Sequence, residues 1–414
     1  MKKIVIIGGG TAGWLTALVV NKFWKNTEVT LIASSEIGIL GAGEGSTPNF
    51  SDILRSLNIN QNDFFLKTGS TVKEGIKFLN WTEEGSVAFH GFGTPDTNSF
   101  FQKKPFHFDA SLVAKYFKKI AIDRGVKWID GKVININNTN ETILNLELQD
   151  GTIIDLDFVF DCSGFYKIII DKVHKENWIS YSDYLIMNKA FGFFLPQTNK
   201  YTINDTQLTH LTSMKHGWMW QVPLQHRWGC GYVFNDNYIS VDEAKKEVEE
   251  TLGYEIKIQK VFDFNPGRYE RSWIGNSISV GLSYGFLEPL EATSLMSIIM
   301  QLKKLIEIDF DNNFKNDYNL ACSEVLEQNM LFTRYHYLCE RDDTQFWKDC
   351  VAMPIPIKLK KIIDSKNNLI PISNNDLIKM LNLTNTKPHE ITFFPYSYNV
   401  INLKNKKIIK KELL

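Results

Sequence analysis

Ile4-Val5-Ile6-Ile7-Gly8-Gly9-Gly10-Thr11-Ala12-Gly13-Trp14 is the stretch whose reading decides the fold of this chain. Four consecutive β-branched residues ahead of a glycine run read as a strand buried on both faces, the pattern of a parallel sheet. Gly8, Gly10 and Gly13 then fall in G-x-G-x-x-G spacing, followed by a helical stretch to Phe23. The first glycine permits a tight turn, the second a close approach of a pyrophosphate, and the third close helix packing. The amides around Thr11 and Ala12 then face the phosphates at the helix N-terminus. Glu28 to Ile32 reads as the next strand, which completes a βαβ opening. The acid expected about 20 residues on, to hold a ribose, is replaced by Ala33; Glu36 stands close enough to substitute, or backbone and water hold the sugar.

Two further segments repeat the strand-then-glycine pattern. Phe158-Val159-Phe160-Asp161-Cys162-Ser163-Gly164-Phe165 runs from a strand into a small-residue turn, and Ile278 to Phe286 does the same through Gly281 ahead of a helix. Three such segments in this order favour FAD over NAD, with Ser163, Gly281, Phe286 and Leu287 as further cofactor contacts. No second strand–GxGxxG–helix unit stands ready for NAD(P)H, so the flavin is expected to arrive reduced or to receive its electrons from elsewhere. Another glycine-rich stretch, Gly41-Ala42-Gly43-Glu44-Gly45-Ser46-Thr47-Pro48, cannot be a regular element; it reads as a loop approaching something closely, with Ala42, Gly43, Glu44 and Gly45 beside the cofactor.

The 414 residues carry a formal charge of −1 and no basic stripe interleaved with aromatics, which argues against nucleic acid as a partner. Five cysteines without CxxC spacing indicate neither a disulfide framework nor a metal site, and favour a reducing cytoplasm. No apolar run is long enough to span a bilayer. The fold class expected is α/β with mixed α+β character: a Rossmann-like FAD-binding fold of the flavin monooxygenase type. Its discontinuous FAD module covers 1–185 and 265–310, a β-rich substrate module covers 186–264, and a mostly helical region covers 311–414. The sequence leaves a homo-oligomer open.

Two ionisable residues stand out. Lys77 sits in the apolar stretch Gly75-Ile76-Lys77-Phe78-Leu79-Asn80-Trp81, and Glu291 in Phe286-Leu287-Glu288-Pro289-Leu290-Glu291-Ala292-Thr293-Ser294, where Pro289 helps set a helix start. Free amides at Ala292 to Ser294 could bind an anion. On residue chemistry alone, Lys77 is equally a lysine snorkelling at a strand edge and Glu291 a helix-capping carboxylate. Trp218-Met219-Trp220-Gln221-Val222-Pro223 places two indoles on one side of a strand. Such a pair serves either as ordinary core or as a wall between a reactive cofactor and a substrate.

Together these pieces resemble the flavin-dependent halogenases of the tryptophan-halogenase family. The resemblance is carried in family order by GGGTAGW at 8–14, GAGEGSTP at 41–48, IKFLNW at 76–81 and FHFDASLVAKYF at 106–117. FDCSGF at 160–165, YSDYL at 181–185, GWMWQVPL at 217–224, GLSYGFLEPLEATS at 281–294 and RDDTQFW at 341–347 follow. The resemblance implies FAD supplied as FADH2 by a separate flavin reductase, with O2 and halide forming a hypohalous acid that halogenates an electron-rich arene of indole or phenol type. It implies Lys77 as the lysine that engages the hypohalous acid and Glu291 as the carboxylate that orients it or assists proton loss. Thr293 and Ser294 are implied to hold halide, and Trp218, Trp220 and Pro223 to separate flavin from substrate.

The chain departs from the family where the tryptophan-specific members usually have serine and glycine: Ala292 and Ser294 stand there instead. Much of their C-terminal region, which closes over tryptophan, is expected to be missing. A more open site, broad scope and a preference for bromide or iodide are the corresponding expectations. A flavin-dependent aromatic monooxygenase and a non-catalytic FAD-binding protein are the alternative readings.

Overall fold

The computed structural model of the chain describes residues 1–38, 43–92, 105–197, 205–308, 312–367 and 374–381, with Leu383 and Ser397. A six-stranded sheet lies at its centre. From one edge to the other it runs Trp273–Ile274, Ser277–Ser279, Phe158–Asp161, Lys2–Ile7, Thr27–Ala33 and Lys127–Asp130. All neighbours are parallel except the first pair. The apolar run at 4–7 is explained by what covers it. Ile4 and Ile6 face a core shared with the Thr11–Phe23 and Thr293–Glu307 helices, whereas Val5 and Ile7 face Ile143, Leu146 and Leu148 of a small antiparallel sheet. Period-two alternation sends successive side chains to opposite faces, so a sheet covered on both sides needs every position apolar.

The second large sheet has seven strands, ordered Ile258–Asp263, Lys189–Pro196, Arg227–Phe234, Gly217–Pro223, Leu208–Ser213, Gly75–Leu79 and Val87–Gly91. Its first five strands come from the expected substrate module and its last two from the expected FAD module. They join through a parallel pairing of 208–212 with 75–79. The boundary at 185 and 186 therefore does not separate the sheets: the region before it lends two edge strands to the region after it. One face of this sheet, with Phe191, Phe193, Met219, Tyr232 and Phe234, packs on the Val241–Leu252 helix, and the other joins the main core. A Ser240–Glu243 capping box starts that helix and a left-handed Gly253 ends it.

Helices also run over Ala110–Asp123, Val241–Leu252 and Thr293–Glu307. After residue 311 the described elements are helical, chiefly Lys315–His336, Gln345–Ala352, Ile357–Asn367 and Asn374–Leu381. Among the described residues no helix is long and apolar enough to cross a membrane.

Candidate active site

The three glycine-bearing segments meet at the carboxyl ends of the parallel strands. A β-carbon on Gly8 would lie 2.2 Å from the Cys162 carbonyl oxygen, and one on Gly13 would lie 1.9 Å from the Gly8 carbonyl oxygen. Gly281, at φ +68°, packs against Ile298 and against Ala12, and its N–H donates to the Gln301 side chain at 2.8 Å. By contrast, among the described residues a β-carbon on Gly10 would meet nothing within 4 Å, and the helix that Gly10 opens has no side-chain cap. The Thr11 hydroxyl is buried without a hydrogen-bond partner among the described residues. Open space, free first-turn amides and an orphaned hydroxyl are what a pyrophosphate would fill and satisfy, so these residues fit the diphosphate of FAD. Ser163 donates to Asp161 and accepts from the Ile168 N–H. Phe286 stacks edge-on against Phe165 and Phe264, and Leu287 is buried beneath. Glu36 is exposed in the turn after Ala33. Ala42 lies outside the described residues.

The loop after 42 approaches two things closely. Gly43, at φ +81°, packs on Gly229 and Val222. Glu44 and Gly45 pair with Phe108 and His107. Desolvation and the nearby Asp109 carboxylate push Glu44 up to about 7.

Trp218 and Trp220 share one face of their strand, with ring centroids 6.2 Å apart. Trp220 lies across Gly231, where any β-carbon would strike the indole. Trp218 is fully buried, and its Nε1–H donates to Glu288 Oε2 at 3.0 Å and to the Tyr337 hydroxyl at 2.9 Å. Tyr337 in turn donates to Glu288 Oε2 at 2.6 Å. Burial pushes Glu288 up to about 7 even though both donors favour its charged form. Pro223 ends the strand, and its carbonyl accepts from the Thr71 hydroxyl.

Glu291 is buried, and both it and Ala292 have left-handed backbones, at φ 60° and 58°. Such a conformation costs a non-glycine residue about 1–3 kcal/mol and persists only where the surroundings impose it. Here they do: His90 Nδ1 reaches both carboxylate oxygens at 2.9 Å, and His336 Nε2 reaches Oε1 at 3.2 Å. Burial alone would raise the pKa of Glu291, but the charge and hydrogen bonds of the two imidazoles hold it at about 2. Thr293 directs its N–H to the Leu290 carbonyl and its hydroxyl to the Glu288 carbonyl. That leaves the Ser294 amide among the first-turn donors a helix does not satisfy internally, so of the two expected halide contacts Ser294 is the better placed.

The structure places the expected lysine away from the expected carboxylate. Lys77 does not meet Glu291. Ile76 stands opposite His90 in the strand pairing, and the Phe78 ring lies 5.4 Å from that of His336, so even-numbered positions face the Glu291 side. Lys77 points to the other face, where it pairs with Asp205 at 2.9 Å with its side chain 23% exposed. The lysine that turns inward is Lys73, only 1% exposed. Its Nζ passes beside Gly45 and lies 4.8 Å over the Phe92 ring. Desolvation lowers its pKa to about 8, against the pull of the Glu291 charge. His107, fixed between Thr71 and Thr209, is driven well below the usual histidine range by burial and by that same ammonium. Residues 71–72 pair in one sheet and 75–79 in another. The change of sheet between them carries Lys73 to the face opposite Lys77, a reversal that strand alternation in the sequence does not reveal. The two histidines, the other residues missed, left no local signal either: they stand 201 and 45 positions from Glu291.

The sequence model of the tryptophan halogenase family matches residues 3–104 and 96–388. Tryptophan 7-halogenase RebH of Lentzea aerocolonigenes is 28% identical over 84% of this chain and 78% of its own length. The crystal structure of tryptophan 6-halogenase SttH from Streptomyces toxytricini superposes with a TM-score of 0.86 at 26% identity, over 97% of this chain and 90% of that one. BrvH, a flavin-dependent halogenase from Brevundimonas sp. BAL3, superposes with a TM-score of 0.84 at 25% identity, covering 98% and 90%. With the family match spanning nearly the whole chain and the fold shared end to end, this protein belongs to the tryptophan halogenase family of flavin-dependent halogenases.

Proposed function

We propose that halogenation takes place between Lys73 and Glu291, and that the aromatic substrate is an electron-rich indole or phenol. The observation that carries this reading is the buried Lys73 side chain, whose ammonium lies over the Phe92 ring, which packs against His90, the partner of Glu291. The family reaction consumes reduced FAD, O2 and halide, and the flavin is reduced by a separate enzyme. When bound in the cradle of Gly8, Gly10, Thr11 and Gly13, reduced FAD with O2 supplies the two-electron oxidation that turns halide into hypohalous acid. Everything after that falls to the protein.

Lys73 donates a hydrogen bond to the oxygen of the hypohalous acid and makes its halogen the electrophilic end. As the carbon–halogen bond forms and the halogen–oxygen bond breaks, the departing hydroxide takes the Lys73 proton and leaves as water. The cationic ring then loses its C–H proton to a Glu291 oxygen, and the C–H electron pair restores aromaticity. Even a carboxylate held at about 2 accepts that proton, because a protonated arene is a far stronger acid. Proton return from Glu291 to Lys73 resets the site. Phe92 and His90 offer ring surfaces beside the lysine and the carboxylate for an aromatic substrate. Trp218 and Trp220, anchored by Glu288, Tyr337 and Gly231, keep that substrate from the flavin. Broad substrate scope and use of bromide or iodide extend this reading and follow from Ala292 and Ser294 at the anion-facing turn.

The test is turnover with a flavin reductase, NADH, FAD and each halide in turn on a panel of indoles and phenols. Halogenated product is expected from the wild type, none from Lys73→Ala with flavin oxidation intact, and product from Lys77→Ala. Absence of product with every halide, or product from Lys73→Ala, overturns the assignment. Hydroxylated product instead would favour direct oxygen insertion.

A further inference from the structure

His336 lies on the Lys315–His336 helix, fully buried, with acceptors on both sides of its ring. Nδ1 is 2.7 Å from the Phe332 carbonyl, which can only accept, so that nitrogen carries a hydrogen. Nε2 is 3.2 Å from Glu291 Oε1. One proton must therefore lie between Nε2 and Oε1, on the imidazole or on the carboxyl. His90 decides which: its Nδ1 sits 2.9 Å from both oxygens of Glu291 and presents a donor to the whole carboxylate, which favours the anion. His90 does not face the same constraint as His336, because its Nε2 meets the Ser397 hydroxyl at 3.2 Å and a hydroxyl serves as donor or acceptor. The His336 ring is also held in place by shape. It lies 4.7 Å from Phe332 edge-on and 5.4 Å from Phe78, with Trp81 at 6.4 Å.

We infer that His336 is a positioning residue for halogenation, an imidazolium whose buried charge keeps Glu291 ionised and thereby holds Lys73 as an ammonium. The inference rests on the assignment of Lys73 and Glu291 made above. Among the described residues, the charged and titratable groups facing Glu291 are His90 from the Val87–Gly91 strand, Lys73 from the segment before Gly75–Leu79, and His336 from its helix. Without the His336 charge, the buried carboxylate loses a counter-charge, and Glu291 takes up a proton at a higher pH. Lys73 then loses its counter-charge and gives up its own proton more readily. Halogenation would fail at two residues that the substitution never touched.

The test compares wild type, His336→Phe and His336→Gln on one arene that the wild type halogenates. Phe keeps the ring and removes both donors, whereas Gln restores a neutral donor toward Glu291. His336→Phe should lower kcat about tenfold or more, leave KM for the arene within about twofold, and raise the acidic limb of the kcat profile by about two to three pH units. His336→Gln should return part of the kcat and part of the shift. Nitrogen-15 NMR of the wild-type ring is independent of turnover and of the variants' folding. Both His336 ring nitrogens should show imidazolium shifts near neutral pH. An unprotonated ring nitrogen there, or a His336→Phe enzyme that folds with unchanged kcat and unchanged acidic limb, overturns the inference. Loss of wild-type turnover on every arene would instead strike the functional reading and leave the ring's protonation state as measured.

Discussion

The Lys73 ammonium lies 2.8 Å from the point that a β-carbon on Gly45 would occupy. The glycine-rich loop thus leaves room for a buried cation, and the spacing of that loop is matched to a side chain 28 positions along. Gly45→Ala should displace Nζ from Phe92 and lower halogenation by at least about tenfold, since a 1 Å misplacement at a reacting centre can cost on the order of a hundredfold. Flavin affinity, read by equilibrium dialysis, should change little. Unaltered turnover in the alanine variant would show that Lys73 has slack.

The ionisation of Lys73 separates two ways of using it. With its pKa lowered to about 8, the ammonium form dominates below that pH and the free amine above it. A hydrogen-bond donor requires the ammonium, so the single-turnover halogenation rate should fall as pH rises through about 8. A mechanism through an N-halo lysine requires the amine, and its rate would rise through the same interval.

Glu288 should leave a mark on stability. Its folded-state pKa, about 7, stands above the ordinary carboxylate value of 4.5, so the unfolded chain sheds that proton first. The group therefore costs the folded state progressively more between pH 4.5 and 7, and a constant amount above, on the order of 3 kcal/mol in all. Glu288→Gln keeps an acceptor for Trp218 and Tyr337 and removes the ionisation. Urea midpoints of the variant should be flatter between pH 5 and 7 than those of the wild type; parallel profiles would refute the assignment.

Gly13→Ala tests the cradle. Its β-carbon would stand 1.9 Å from the Gly8 carbonyl, a backbone atom that cannot yield as a flexible side chain can. The variant should lose FAD binding by fluorescence titration and fall by about 1–3 kcal/mol in stability, the range for overpacked buried sites. Lys77→Ala, by comparison, removes a part-exposed ion pair with Asp205 and should cost no more than about 1 kcal/mol.

The sequence by itself determined the nucleotide fold, because an apolar run and three spaced glycines are local features with one physical solution. It determined that Trp218 and Trp220 share a face, because strand alternation is rigid over two residues. It determined the family, through motifs strung in order along the chain. It pointed to Lys77 as the lysine beside Glu291, and the fold turns that side chain to Asp205 instead. Lys77 looked buried because its neighbours Ile76 and Phe78 are, yet those neighbours face the core by turning Lys77 away from it. Only the tertiary structure decided that Lys73 turns inward, since the chain passes from one sheet to another between Val72 and Gly75 and alternation does not survive such a crossing. Only the tertiary structure brought His90 and His336 to Glu291. A charge buried by partners from a distant strand and a distant helix is specified by packing, and no periodicity along the chain records it.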